Sequence, residues 1–256
     1  MTRLIVGLVI ALLFDPAGGQ QTDLPLPDFL EGLIEPHKVV EVSSQVPGIL
    51  DEVTVERGAQ VEKDEVVARL KSGLERIAID LATAQLAFAK RRAERNAELF
   101  AQEMLSAHEK DEMDTEIELA DLKLRQAQER LKMRTIRSPI QGVVVERYLS
   151  PGEFAGEEPI LKIAQINPLN VELIVPFERF GSIQEGMVGE IRPEEPISGL
   201  YHAKVVIVDQ VIDAASGTFG VRLELPNPGY RLPAGLKCRV LFPDNGTAKA
   251  QSGGIE

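Results

Sequence analysis

Two stretches of this 256-residue chain carry the same glycine spacing, with about sixty residues of a different pattern between them. The first, VVEVSSQVPGILDEVTVERGAQVEKDEVVARL, alternates β-branched and polar residues and is broken at Gly48 and Gly58. The second, IRSPIQGVVVERYLSPGEFAGEEPILKI, has the same design and is broken at Gly142 and Gly152, with apolar runs at matching offsets. Period-two alternation punctuated by glycine reads as short strands joined by turns. The two stretches are therefore copies of one β-motif, and a single β-domain is expected to assemble from both of them.

Between the copies, from about Leu74 to Arg134, the period changes from two to three and a half. Leu74, Ile77, Leu81, Ala84, Phe88, Arg91 and Arg95 step by three and four, as do Met113, Ile117, Ala120, Leu124, Ala127 and Leu131. Such stepping predicts two helices packed along a narrow seam. The stretch holds no Pro, and its only Gly, Gly73, stands at the entrance, so the one break expected is a turn near Leu105 and Ser106. Helices of about thirty residues would make an arm on the order of 45 Å long. Its remaining Arg, Lys, Glu and Gln suit the solvated face of an antiparallel coiled coil.

From Ala164 strand-like runs return as LNVELIVP, MVGEIRP, YHAKVVIVD, TFGVRLELP and LKCRVLF, a spacing that suits a small antiparallel barrel or sandwich. A short helix is expected at Pro176 to Ile183, with Pro at the favoured first position. The segment Asp23 to Pro36 reads as a Pro-containing leader, and residues 244–256 read as a disordered tail. At the start, Arg3 precedes an apolar run from Leu4 to Phe14 and the small residues Ala17, Gly18 and Gly19, the pattern of a signal peptide over residues 1–19. Eleven apolar residues rise only about 16 Å in helix, short of the roughly 30 Å hydrocarbon core. The only Cys is Cys238, far from that run, so neither a lipid anchor nor a disulfide framework is expected. Cys238 reads as a small buried hydrophobe.

Composition narrows the function. Aromatics are 5% and Trp is absent, which fits narrow β-folds and alanine-rich seams better than an aromatic-lined substrate pocket. A net charge of -12 has the wrong sign for phosphate neutralisation, so nucleic acid is not an expected partner. His37, His108 and His202 lie in three separate segments, and no HxxxH, CxxC or nucleophile elbow occurs. No catalytic residue, cofactor or metal ligand is expected, and the scattered Met residues give no support to a copper or silver role.

The two glycine-punctuated halves resemble those of lipoyl and biotinyl carrier domains. Separated by a helical hairpin and followed by a barrel segment closing in NPGYRLPAGLKCRV, they are similar to the periplasmic adaptor family, also called membrane fusion proteins or the HlyD type. The resemblance covers about Gly32 to Phe242. It implies an α+β, elongated, multidomain fold: a lipoyl-like β-sandwich in two halves (38–72 and 135–163), interrupted by a long antiparallel α-helical hairpin (73–134) and followed by a small antiparallel β-barrel (164–243). It further implies a non-catalytic periplasmic adaptor, acting as a hexameric ring between an inner-membrane transporter and an outer-membrane TolC-type channel. Arg95, Leu99 and Ser106 reproduce the R-x3-L-x6-S spacing with which the family engages the channel tip. Each also has an ordinary reading: a solvated charge, a seam residue, and the N-cap of a capping box with Glu109. The pattern ends at about Phe242, before the membrane-proximal domain of resistance-nodulation-division (RND) adaptors, which leaves the transporter class, RND or ABC, open.

Three other functions compete. A lipoyl or biotinyl carrier would present its modified Lys on a tight turn between the halves, but some sixty helical residues occupy that junction, and the nearest lookalike is Lys132 beside Met133. A hydrolase or metal enzyme lacks its residues. A purely structural exported coiled coil would have no reason for the Arg95, Leu99 and Ser106 spacing.

Overall fold

The computed structural model describes residues 29–102, 104 and 106–243. The expected signal peptide, the tail from 244 and Leu105 of the turn lie outside these residues. The protein is mixed α/β, with twelve strands and two long helices among the described residues.

Two long strands organise everything else. β1 (Leu30–Ser43) and β8 (Pro159–Pro176) run antiparallel along most of their lengths, and each serves two β-layers in turn. Their outer parts close a six-stranded antiparallel barrel with β9 (Val188–Pro193), β10 (Tyr201–Val208), β11 (Thr218–Leu225) and β12 (Leu236–Leu241), in the cyclic order β1-β12-β9-β10-β11-β8. Leu30 to Ile34 pair with Val240 to Leu236 on one side, while Gly32 to Pro36 pair with Leu173 to Leu169 on the other. The segment read as a leader up to Pro36 is thus, from Leu30 on, a closing strand of the barrel. The six residues from Leu30 to Glu35 are too short a run to be told from coil without the partner strands. Inward-facing Ile34, Leu169, Val171, Leu173, Ile191 and Leu223 are all within 1% of full burial.

The inner parts of β1 and β8 continue as a sheet with β6 (Gly142–Arg147) and β3 (Gln60–Val61). Against it packs a second sheet, in the order β5 (Thr135–Arg137), β4 (Val66–Leu70), β2 (Gly48–Val53) and β7 (Phe154–Ala155). Val42, Leu50, Val67, Leu70, Val144, Ile160 and Ile163 fill the space between.

The glycine repeat acquires a physical cause here. Gly58 N–H donates to Val144 O at 2.8 Å, and Gly152 N–H donates to Leu50 O at 2.8 Å. Val144 N–H returns to Ala59 O and Leu50 N–H to Glu153 O, each at 2.9 Å. Each half's turn is therefore bonded to the other half's strand, two residues beyond that strand's own glycine. Gly58 (φ 88°) and Gly152 (φ 92°) hold the left-handed turn conformation that L residues resist. Gly48 and Gly142 permit close approach: a Cβ at Gly142 would stand 2.3 Å from Ala164 O, and one at Gly48 2.5 Å from an Arg134 guanidinium nitrogen.

The short helix expected at Pro176 to Ile183 is only a 3-10 turn, Phe177–Arg179, with Pro176 at its N-cap. Phe180 closes this turn, and Gly181 after it takes a left-handed φ of 84°.

Candidate partner-binding site

α1 (Gly73–Ala101) leaves the first β-half and α2 (Ala107–Lys132) returns to the second. At 29 residues α1 is about 43 Å long. Cross-helix pairs fix the antiparallel register: Arg92 meets Glu116 at 2.8 Å, and Asn96 Nδ2 approaches Met113 Sδ at 3.3 Å.

The seam on α2 is the expected one, with Met113, Ala120 and Ala127 buried and Ile117, Leu124 and Leu131 half-buried. The seam on α1 is not. Ile79, Ala82, Leu86, Ala89, Ala93, Asn96 and Phe100 form the buried and half-buried side of α1, one or two residues out of step with the predicted track. Leu74, Ile77, Leu81 and Phe88, assigned to the seam by sequence, are instead 80%, 64%, 61% and 53% exposed. Both tracks are apolar near the β-domain, and the difference lies toward the free end. The predicted track runs into Arg91 and Arg95, whose burial against Met113 and Ile117 would strand unpaired guanidinium groups. The observed track offers Ala93 and Asn96 there, and its Ala82 and Ala89 are buried, as are Ala120 and Ala127 of α2.

At the base, Arg134 ties the helices to the sandwich. Its guanidinium bonds Glu75 at 2.6 and 2.9 Å and donates to Pro47 O at 2.9 Å. Glu75 and Arg134 sit in the first turn of α1 and just past α2, so the pair spans the whole insertion. The missing Cβ of Gly48 leaves room for that guanidinium. Sequence reasoning missed this clamp because its partners are fifty-nine residues apart, a separation with no local signal.

The three predicted residues lie in the half of the hairpin away from the sandwich. Arg95 and Leu99 lie one turn apart near the end of α1; Arg95 is exposed and Leu99 is 38% exposed. Ser106 is the N-cap of α2 and completes a capping box. Its hydroxyl accepts from Glu109 N–H at 3.2 Å, and Glu109 Oε2 accepts from Ser106 N–H and from the Ser106 hydroxyl, each at 2.8 Å. The backbone hydrogen bond from Ser106, followed by the one from its side chain, lowers the Glu109 carboxyl below its ordinary value. Ser106 thus already has a structural duty, with one acceptor position left over. Beside it Lys110 Nζ sits 4.8 Å from the Phe100 ring centroid, and Met104 is 69% exposed. The free end consequently presents a cation, an apolar step and a small polar cap.

Chemistry elsewhere is sparse. Among the described residues no group of three or more His, Cys, Asp or Glu could hold a metal. No described helix is long and apolar enough to cross a membrane. Burial, with a smaller contribution from Glu194, pushes the Cys238 thiol up to about 12. His37 Nδ1 lies 3.1 Å from Asn170 Oδ1, where barrel and sandwich meet.

Comparison with known proteins bears on this arrangement. The CzcB-like barrel-sandwich hybrid domain family matches residues 38–165, half of the chain. The chain is 24% identical over 253 residues to the efflux pump periplasmic linker BepD of Brucella suis biovar 1, covering 87% of this chain and 64% of that protein. It is 21% identical over 217 residues to a protein of Haemophilus influenzae, 83% of this chain and 56% of the other. The chain therefore spans a little over half the length of these curated relatives. Among solved structures, a MacA-MexA chimera containing the Pseudomonas aeruginosa MexA α-hairpin domain superposes with a TM-score of 0.71 at 22% identity, over 83% of this chain and 76% of that one. MacA from Actinobacillus actinomycetemcomitans gives 0.62 at 21% identity, with the same coverages of 83% and 76%. At these identities the likeness is one of fold. The family match runs through both halves of this chain's barrel-sandwich and the helical insertion between them, and the chain belongs to the periplasmic adaptor, or membrane fusion protein, family with a CzcB-like barrel-sandwich hybrid domain.

Proposed function

We propose that this protein is the non-catalytic periplasmic adaptor of a tripartite efflux or secretion system, joining an inner-membrane transporter of RND or ABC type to an outer-membrane TolC-type channel. In this reading it is exported by a signal peptide at residues 1–19 and works as a homo-oligomeric, hexameric ring. Its working units are the sandwich (38–72 with 135–163), the hairpin arm (73–134) and the barrel (164–243), the last completed by Leu30 to Pro36.

The observation that carries the reading is the free end of the helix pair. An arm about 43 Å long is clamped at its base by Arg134 and Glu75, and its far half carries an exposed Arg95, a partly exposed Leu99 and Ser106 at the N-cap of α2, which supports the reading. Arg95 offers a planar fork of donors to carbonyl or acidic groups of the channel, Leu99 packs at the contact, and Ser106 is small enough for close approach. Several copies in a ring would sum weak tip contacts through avidity.

The test is Arg95→Asp in the full-length exported protein. Export and cross-linking to the channel are expected to be lost, while the circular dichroism spectrum and melting curve stay those of the wild type, because an exposed helix site tolerates a charge change within about 0.5 kcal/mol. Retention of both activities in a folded variant removes the channel assignment.

A further inference from the structure

Two arginines stand directly opposite each other on the outer wall of the barrel. Arg192 of β9 is the register partner of Arg239 of β12, and both are exposed. Facing side chains of an antiparallel pair have Cβ atoms about 5 Å apart, and like charges there repel. The chain does little to relieve this. Arg192 has Glu190 at 3.7 Å, too long for a hydrogen bond. Arg239 has Glu31 of β1 as its register partner on the other flank, yet it forms no ion pair with it or with any other described carboxylate. Arg239 instead lies over the Phe29 ring, 4.7 Å from its centroid. That contact holds the cation in place without spending an N–H on an oxygen, so its planar fork of donors remains available to an oxyanion.

Around the two arginines lies a cavity of about 390 Å³, walled also by Phe29, Leu241, Pro193, Glu194 and Glu195. Its chemistry is ordered along the strands. Phe29 and Leu241 lie toward the end of the barrel away from the sandwich, where β1 begins and β12 ends. The arginines come next, and Glu194, whose N–H donates to Lys237 O, lies two residues past Arg192 on the sandwich side. From Leu241 to Lys237 the strand rises about 14 Å, so apolar wall, cations and carboxylates follow one another within the length of a lipid headgroup and its first methylenes. An inorganic anion or a polyanion would meet repulsion from Glu194 and Glu195, and a plain hydrocarbon would leave the arginines unanswered. A molecule carrying hydrocarbon, phosphate and ammonium in that order meets all three.

We propose that this cavity binds the headgroup of an ethanolamine phospholipid, with the phosphate between Arg192 and Arg239, the ammonium at Glu194 and Glu195, and the start of an acyl chain along Phe29 and Leu241. Guanidinium-to-phosphate bonds are charge-assisted and directional, so the arginines supply the affinity. The two carboxylates supply the choice of headgroup, because they disfavour a second negative charge and accept hydrogen bonds from a primary ammonium. The inference goes beyond the adaptor reading and uses neither the channel nor the hairpin tip.

Flotation of the purified full chain with lipid vesicles provides the test. Vesicles of phosphatidylcholine mixed with phosphatidylethanolamine are expected to carry the protein up the gradient, and vesicles of phosphatidylcholine alone, or mixed with phosphatidylglycerol, to carry much less. Arg192→Gln and Arg239→Gln are each expected to weaken binding about tenfold or more, since each loses a charge-assisted bond to phosphate. Glu194→Gln combined with Glu195→Gln is expected to remove the preference for phosphatidylethanolamine over phosphatidylglycerol. Arg222→Gln, at another exposed barrel arginine that already pairs with Glu172, and Arg95→Asp are expected to bind as the wild type does. Circular dichroism of each variant confirms the fold. The proposal is overturned if phosphatidylethanolamine does not improve binding over phosphatidylcholine alone, or if folded Arg192→Gln and Arg239→Gln proteins float like the wild type. It is equally overturned if soluble O-phosphoethanolamine binds as tightly in isothermal titration calorimetry as the vesicles do, because the ligand would then be a free phosphate ester and not a lipid.

Discussion

Replacing Asn227 tests how the barrel is closed. Asn227 opens the NPGYRLPAGL segment, is 2% exposed, and is the side chain around which that loop turns. Its Nδ2 donates to Ile166 O and Leu232 O at 2.9 Å each, and its Oδ1 accepts from Leu232 N–H at 3.0 Å. Its own N–H is held by Asn167 Oδ1 at 3.0 Å. In Asn227→Ala the backbone bond remains and the three side-chain bonds go, leaving two carbonyls and one amide without partners in a site largely shielded from water. At about 1 kcal/mol for each group left unsatisfied, the loss is about 3 kcal/mol. Asn227→Asp costs at least as much, because the donating amide becomes an oxygen facing two carbonyl oxygens. For a chain of this size about 3 kcal/mol corresponds to roughly 6–12 °C in Tm. Differential scanning calorimetry on the wild type and both variants measures it. A Tm within about 2 °C of wild type for Asn227→Ala would refute the reasoning, since one net hydrogen bond alone is worth that much.

Other substitutions separate the structure's reading from the sequence pattern. Leu86→Asp, in the observed seam, should unzip the helices at a cost of several kcal/mol, whereas Leu81→Asp, on the exposed track, should leave far-ultraviolet circular dichroism and protease resistance unchanged. Gly142→Ala must displace the Ala164 backbone and is expected to cost about 1–3 kcal/mol in urea unfolding, while Gly73→Ala, with nothing within 4 Å of the added Cβ, should be neutral or slightly stabilising. Cys238 should resist alkylation at pH 8 in the native protein and react fully once unfolded. Its thiol is raised in the folded state, so its stabilising contribution is complete below the unfolded value of about 8.5 and is lost as pH rises from there toward about 12. A Cys238→Ser protein with the same alkaline unfolding profile would remove that assignment.

Much of this architecture is local in origin and therefore legible in the sequence. The change from period two to three and a half marks where strands give way to helices, Ser106 and Glu109 cap α2 by themselves, and the repeated glycine spacing exposes two halves of one motif because the same turn recurs in each. The trio Arg95, Leu99 and Ser106 was visible as a spacing; the fold puts Leu99 in the last turn of α1, Arg95 one turn before it and Ser106 at the N-cap of α2. Tertiary structure decided what depends on a partner far along the chain. Which of two apolar tracks on α1 faces α2 was settled by the cost of burying Arg91 and Arg95 and by the fit of Ala82 and Ala89 to Ala127 and Ala120, and a single-helix pattern contains neither. Leu30 to Pro36 became a strand only because β8 and β12 offer unpaired edges on both sides of it. Glu75 and Arg134 look like two ordinary surface charges until the sandwich brings the ends of the insertion together, since long-range pairing is set by chain return and leaves no mark on local periodicity.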